Sequence, residues 1–185
     1  MFLDLTSSTS IAEKLGDLKY SSFLKNFFSD LDDAIKVSKG VVYQYVGDEV
    51  VILWDVADGC ENNNCIKCFT LAREIIEKQK ENYLSKYGVL PTFKAGIHYG
   101  QIIITEVGST KSEIVYHGDS MNTAARLCAA CNKYNKPLLI SADLLSFLPE
   151  IDTDYSVKSI GIINLKGKKN AVGIISVEMK DKIES

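Results

Sequence analysis

The chain has 185 residues, of which 46% are hydrophobic and 24% charged, and its formal net charge is −3 at pH 7. This length and composition are typical of one globular domain with a full apolar core. The small net charge argues against the broad basic surface that binds nucleic acids or anionic membranes. No apolar run approaches the roughly 20 residues that cross a bilayer. We therefore expect one domain with no nucleic-acid partner and no membrane contact of its own.

The start of the chain favours a cytoplasmic location, because Asp4 lies where a secretory signal would be apolar. An informative apolar strand begins at residue 1, although terminal strands usually fray. We interpret this as a sign that the chain was cut from a longer protein with an upstream sensor or a membrane-attached part. A natural start codon at Met1 would refute that interpretation.

The chain has an odd number of cysteines, namely Cys60, Cys65, Cys68, Cys128 and Cys131. With a full apolar core available, a disulfide scaffold is not expected, and reduced thiols are favoured. The two Cys-x2-Cys pairs also have the outline of a zinc site. Both pairs lie in segments with helical patterns, however, and not in the tight turns that such sites need.

Hydrophobic periodicity and turn residues predict the elements of the first half of the chain. The predicted elements are, in order, a strand at 1–5, a long helix at 10–38, a β-hairpin of strands 41–46 and 50–54 around Gly47-Asp48, a second long helix at 62–86 and a strand at 93–98. This βαββαβ order is that of the ferredoxin-like fold, in which both helices cover one face of an antiparallel sheet. The predicted fold class is therefore α+β.

The second half of the chain predicts C-terminal α and β additions to this core. Strands are expected at 102–107, 113–116 and 138–140, an Ala-rich helix at 119–133, and a hairpin at 155–165 with 171–178. No repeat, low-complexity tract or linker interrupts the pattern, which supports a single domain.

Two acids occupy corresponding positions of the predicted core. Asp4 ends the first strand, and Asp48 lies in the hairpin turn with Glu49 beside it. Because these strands are neighbours in the predicted sheet, the two Asp carboxylates would face each other, which favours binding of a cation. Either acid alone would be an ordinary cap or turn residue.

A polar turn that opens a helix follows Asp4 and contains Ser7, Ser8 and Thr9. The free N–H groups of a helix N-terminus form an anion site, so these residues predict a phosphate cradle. Mg²⁺ is commonly bound by one or two carboxylates together with phosphate oxygens. The two features together suggest a site for a metal–triphosphate complex.

The chain resembles the catalytic domain of class III adenylyl and guanylyl cyclases in five motifs that follow the family's order. They are an acidic residue at the end of a strand before a Ser/Thr-containing turn, a Gly-Asp-Glu hairpin, a Gly-Ile-His-x-Gly segment, a Gly-Asp-x-x-Asn-x-x-x-Arg-Leu segment at the start of a helix, and a Leu-Lys-Gly tripeptide. They lie at residues 2–9, 45–50, 96–100, 118–127 and 165–167. Each is weak alone, but their order over nearly the whole chain is specific. The resemblance implies that residues 1–185 form one nucleotidyl cyclase catalytic domain with the class III cyclase fold.

The resemblance also implies metal ligands and a reaction. Asp4 and Asp48, helped by the backbone carbonyl of Leu5, would hold two Mg²⁺ or Mn²⁺ ions per site. The ribose 3′-hydroxyl would attack the α-phosphorus, and pyrophosphate would leave. ATP is the default substrate, because it is the commonest in the family.

Two residues, Asn122 and Arg126, would complete the site from a second protomer. Asn122 would position the ribose, and Arg126 would stabilise charge on the α-phosphoryl group. Lys166 would bind the β- and γ-phosphates. Since one chain contains every motif, the resemblance implies a homodimer with two shared sites.

The base-reading positions depart from the family's pattern. Adenylyl cyclases place Lys three residues before the hairpin Gly and Asp or Thr three residues before the later Gly, whereas guanylyl cyclases use Glu and a small polar residue. Here these places are Gln44 and Val115. A Gln amide can both donate and accept, whereas Val115 can only form a wall. A pyrimidine (UTP or CTP) cyclase of antiphage signalling therefore stays open.

Two further alternatives remain. A diguanylate cyclase shares the βαββαβ core, but it would need Gly-Gly before the acid and Phe after Glu, where this chain has Val46 and Val50. A catalytically inactive nucleotide-binding regulatory module is the other. The intact site residues, acids as well as Asn122, Arg126 and Lys166, argue against it, whereas the altered base readers leave it open.

Overall fold

The computed structural model describes residues 1–110, 112–164 and 171–180. Its strands are β1 (Phe2–Leu5), β2 (Val41–Val46), β3 (Glu49–Leu53), β4 (Phe93–Ile97), β5 (Ile103–Val107), β6 (Glu113–His117), β7 (Leu138–Ser141), β8 (Tyr155–Asn164) and β9 (Ala171–Met179). Its α-helices are α1 (Ser8–Leu15), α2 (Asp17–Val37), α3 (Val56–Cys60), α4 (Asn64–Lys78), α5 (Lys80–Tyr87), α6 (Asp119–Tyr134), α7 (Ala142–Leu145) and α8 (Ile151–Asp154). Among the described residues, no helix is both long and apolar enough to span a membrane.

The two long helices predicted in the first half are each divided. Gly16 separates α1 from α2 with φ 72° and ψ 160°, a conformation open to glycine. Its N–H ends α1 on the Ala12 carbonyl at 2.8 Å, and its carbonyl starts α2 by accepting from Tyr20 at 2.9 Å. The second predicted helix is divided into α4 and α5 at Gln79. Apolar periodicity continues through both breaks, which is why the sequence pattern did not reveal them.

The main sheet has seven strands in the order β2-β3-β1-β4-β7-β9-β8. Its first four strands pair antiparallel, as the ferredoxin-like prediction requires. The added strand β7 pairs parallel to β4. Strands β5 and β6 leave this sheet and form a separate two-stranded arm. The structure therefore confirms the α+β fold class and adds a parallel pair and an arm.

Helices cover both faces of the main sheet. On one face, α2 and α4 bury Phe23, Phe27 and Phe69 against alternate residues of the strands. On the other, α6 buries Leu127 against Leu139 of β7. Because strand side chains alternate between faces, the predicted one-sided arrangement holds for α2 and α4, while α6 belongs to the opposite face.

Gly96 marks the closest approach of α6 to the sheet. A Cβ atom there would lie 2.2 Å from the backbone nitrogen of Cys128 and 2.3 Å from the backbone oxygen of Ala124. Backbone cannot move aside as a flexible side chain can, so Gly96→Ala must push the helix off the sheet. We expect a loss of about 3 kcal/mol or more in the free energy of unfolding, measured by urea denaturation.

Gly161→Ala is the control for this substitution. Its Cβ would meet the Tyr134 hydroxyl at 2.9 Å, which is the mobile end of a side chain. A loss under about 1 kcal/mol is expected there. Equal losses in the two variants would contradict the close packing inferred at Gly96.

Candidate active site

Strand pairing brings the two predicted metal-binding acids to one end of the sheet. Asp4 of β1 lies opposite Glu49 of β3. The Leu5 N–H donates to the Asp48 carbonyl at 3.3 Å, so the hairpin turn rests on the end of β1. Gly47 holds that turn with φ 62°. The tight Gly-Asp turn and the short strand β1 therefore place Asp4, Leu5 and Asp48 together.

Lys94 lies on the other side of Asp4 and was missed by the sequence reasoning. It pairs with Asp4 in the register of β1 and β4, and its Nζ donates to the Asp4 Oδ2 at 2.6 Å. Burial lowers the pKa of Lys94, but the hydrogen bond to Asp4 and the charge of Asp4 together raise this pKa by more than burial lowers it, so the net shift is upward. Only the strand order could have revealed this pair, since 90 positions separate the two residues.

Glu49 adds a third carboxylate to this cluster. Burial, followed by the negative charges of Asp4 and Asp48, raises the pKa of Glu49 to about 7. Crowded carboxylates of this kind are stabilised by a cation. The carboxylates of Asp4 and Asp48 and the Leu5 carbonyl are oxygen donors of the kind that a divalent cation such as Mg²⁺ prefers, so these residues fit such an ion.

Protein groups alone do not complete such a metal site. Among the described residues, no three His, Cys, Asp or Glu side chains are placed to hold an ion. Two carboxylates and a carbonyl leave positions for water or phosphate oxygens, which is how Mg²⁺ is usually held with nucleotides.

The predicted phosphate cradle is the N-terminus of α1. Ser7 is the N-cap with φ 59°, and its carbonyl accepts from the Ile11 N–H at 3.0 Å. The preceding N–H groups, including those of Ser8 and Thr9, have no acceptor within the helix. The first turn carries no acidic residue. Its partial positive charge is thus open to an anion.

Tyr20 of α2 was not predicted as part of this region. Burial raises the pKa of its hydroxyl, the charge of Asp48 raises it further, and a hydrogen bond from Ser8 lowers it. Ser8 and Asp48 therefore both lie near the Tyr20 hydroxyl.

The two proposed base readers line one cleft of about 630 Å³ between β2 and the arm. Gln44 is exposed on β2, and Val115 is half-buried on β6. The Tyr116 N–H donates to the Tyr43 hydroxyl at 3.3 Å, and the two rings lie 4.6 Å apart. This contact ties the arm to β2. Phe2 and Met121 supply further apolar walls.

Asn122 and Arg126 lie on α6, away from the residues that pack on the sheet. Asn122 is exposed and Arg126 half-buried, whereas Ala124 between them and Leu127 after them are buried. Within the described part of one chain, no hydrogen bond or ion pair joins either residue to the acids at the end of β1. Lys166, the other predicted phosphate ligand, lies outside the described residues.

The described structure does not form the zinc site considered above. Cys65 and Cys68 are buried residues of α4 on one face of the sheet, whereas Cys131 is a buried residue of α6 on the other face. Burial raises the pKa of Cys65 to about 12 and that of Cys68 to about 11. These cysteines are therefore neutral core thiols.

Comparison with known proteins agrees with this geometry. A family model described as the adenylate and guanylate cyclase catalytic domain matches residues 1–176. Adenylate cyclase 2 of Rhizobium meliloti is 35% identical over 178 residues, which cover 96% of this chain and 48% of that protein. An adenylate cyclase of Anabaena cylindrica is 27% identical, over 96% of this chain and 36% of that protein. The chain thus spans less than half the length of these relatives.

Solved structures share the fold at low sequence identity. The guanylyl cyclase Cya2 superposes with a TM-score of 0.81 at 18% identity, over 99% of this chain and 92% of that one. The family match does not support the diguanylate cyclase alternative. With the five ordered motifs and the converging acids, it shows that the chain belongs to the class III adenylate and guanylate cyclase catalytic domain family.

Proposed function

We propose that residues 1–185 form one catalytic domain that converts a nucleoside triphosphate, by default ATP, to the 3′,5′-cyclic monophosphate and pyrophosphate. The observation that carries this proposal is the convergence of Asp4 and Asp48 beside the N-terminus of α1. Relatives named adenylate cyclases, one of them 35% identical, support ATP as the substrate. We place the domain in the cytoplasm, within a longer protein.

The chemistry follows from the residues at this end of the sheet. Asp4, Asp48 and the Leu5 carbonyl would hold two Mg²⁺ or Mn²⁺ ions. These ions would lower the pKa of the ribose 3′-hydroxyl and neutralise the charge of the triphosphate. The 3′-oxygen loses its proton to water and forms a bond to the α-phosphorus. The bond between the α-phosphorus and the oxygen that bridges to the β-phosphate breaks, and pyrophosphate leaves. The helix N-terminus at Ser7, Ser8 and Thr9 binds the phosphates, as does Lys166.

Sharing of the site between two copies is supported by the outward position of the α6 residues. Asn122 then orients the ribose, and Arg126 stabilises charge on the α-phosphoryl group of the partner's site. The arm offers an apolar surface for the second copy, because Ile103, Ile104 and Ile114 are each more than 60% exposed.

Base choice depends on the cleft that contains Gln44 and Val115. The Gln44 amide can pair with adenine, and it can also pair with a pyrimidine. Tyr43 and Tyr116 line the same cleft and narrow it, which favours a smaller base. The alternative of a UTP or CTP cyclase of antiphage signalling is therefore tested together with ATP.

Incubation of the protein with ATP, GTP, UTP and CTP in separate reactions with Mn²⁺, followed by mass spectrometry, tests the proposal. We expect cyclic AMP as the main product. A cyclic pyrimidine nucleotide as the main product would replace ATP by UTP or CTP. If none of the four is cyclised, the domain is the inactive nucleotide-binding module instead.

A further inference from the structure

Three charged residues form a row across three adjacent strands. Asp4 of β1 is flanked in register by Glu49 of β3 and by Lys94 of β4. Residues next to Lys94 in β4, Phe93 and Ala95, point into the core beneath α2 and α4. The Lys94 side chain therefore lies on the same face as the acids.

The Lys94 ammonium is held tightly in this row. Its side chain is 12% exposed and that of Asp4 is 26% exposed, so water screens their charges less than at an open surface. The Nζ to Oδ2 distance of 2.6 Å is that of a direct charge-assisted hydrogen bond. One oxygen of the carboxylate that would bind a metal is thus already occupied by a cation.

We propose that Lys94 is a positioning residue, which holds the Asp4 carboxylate in place without metal and is displaced when a divalent cation binds. The inference rests on the proposed role of Asp4 as a metal ligand. A positive charge beside Asp4 opposes the approach of another cation, and the ion pair must open before both carboxylate oxygens are available. Lys94 therefore lowers the affinity of the nucleotide-free site for metal.

Removal of the ammonium should reveal this competition. We expect Lys94→Met to bind Mn²⁺ about tenfold more tightly than the unchanged chain, since a partly buried ion pair of roughly 1.4 kcal/mol no longer competes. Lys94→Arg keeps the positive charge and should bind Mn²⁺ as the unchanged chain does. The measurement is the electron paramagnetic resonance signal of free Mn²⁺, titrated with the whole chain in the absence of nucleotide.

Lys136→Met is the matched control. Lys136 lies between α6 and β7 and forms an ion pair of 2.7 Å with Glu178 of β9, at 29% and 43% exposure. Two strands of the sheet separate β9 from Asp4 on β1. This variant should leave Mn²⁺ affinity unchanged. Equal or weaker Mn²⁺ binding by folded Lys94→Met would overturn the proposal, and so would a similar gain in Lys136→Met.

A second measurement needs no variant and covers the case in which Lys94→Met does not fold. Ammonium nitrogen NMR of the unchanged chain should show a protected lysine signal that shifts or disappears as Mg²⁺ is added. A lysine signal unaffected by saturating Mg²⁺ would contradict displacement. If these tests fail while the protein still forms a cyclic nucleotide, only the role of Lys94 is wrong. If no cyclic product forms from any nucleotide, the proposed function is wrong.

Discussion

Asp48→Asn is expected to abolish cyclic nucleotide formation while the domain stays folded. Asn has nearly the same shape as Asp and suits a tight turn, so the hairpin and its contact with Leu5 persist. The substitution removes one of the two negative charges that would hold the metals. A loss of at least about a thousandfold in kcat/KM is expected, which corresponds to roughly 4 kcal/mol of transition-state stabilisation.

The measurement is product formation under Mn²⁺ saturation, with circular dichroism as the check on folding. Asp33→Asn is the control, because Asp33 is an exposed carboxylate on α2 away from the sheet end. That variant should retain activity within about twofold. Substantial turnover by folded Asp48→Asn would refute the metal assignment of this acid.

Mixing two inactive variants is expected to restore activity. Asp48→Asn damages the acid side of a shared site, and Arg126→Ala damages the α6 side. In a mixed dimer both changes fall in one site, and the other site is intact. With random exchange of subunits, roughly a quarter of all sites should be restored.

The experiment compares each variant alone with an equal mixture after subunit exchange at low concentration. A mixture of Asp48→Asn with Asp4→Asn is the control, since both changes lie on the same side and no intact site can form. Activity in the first mixture and none in the second is expected. If the first mixture stays inactive while dimers exchange, the shared-site model is wrong.

Local patterns predicted much of the core. The Gly47-Asp48 hairpin followed from two β-rich runs around residues that favour turns, and the strand pairing agrees. The division at Gly16 did not follow, because a single glycine in a periodic helix is tolerated in some proteins and ends the helix in others. At Gly16 the structure has the second outcome, since the positive φ of this residue ends α1 and its carbonyl begins α2.

The composition of the site was only partly predictable. Gln44 and Val115, 71 positions apart, were paired by family resemblance, and the structure places both in one cleft. No local signal marked Lys94 or Tyr20, which became neighbours of the acids through strand order and helix packing.

The sequence by itself determined the class of the protein, because spacing, turn residues and five ordered motifs are properties of short segments. Only the tertiary structure decided which charges meet. Lys94 reaches Asp4 because β4 pairs with β1, α6 covers the second face because Gly96 allows its backbone to approach, and β5 with β6 leaves the sheet as an arm. These outcomes depend on burial and register between distant segments, which local backbone preferences do not encode.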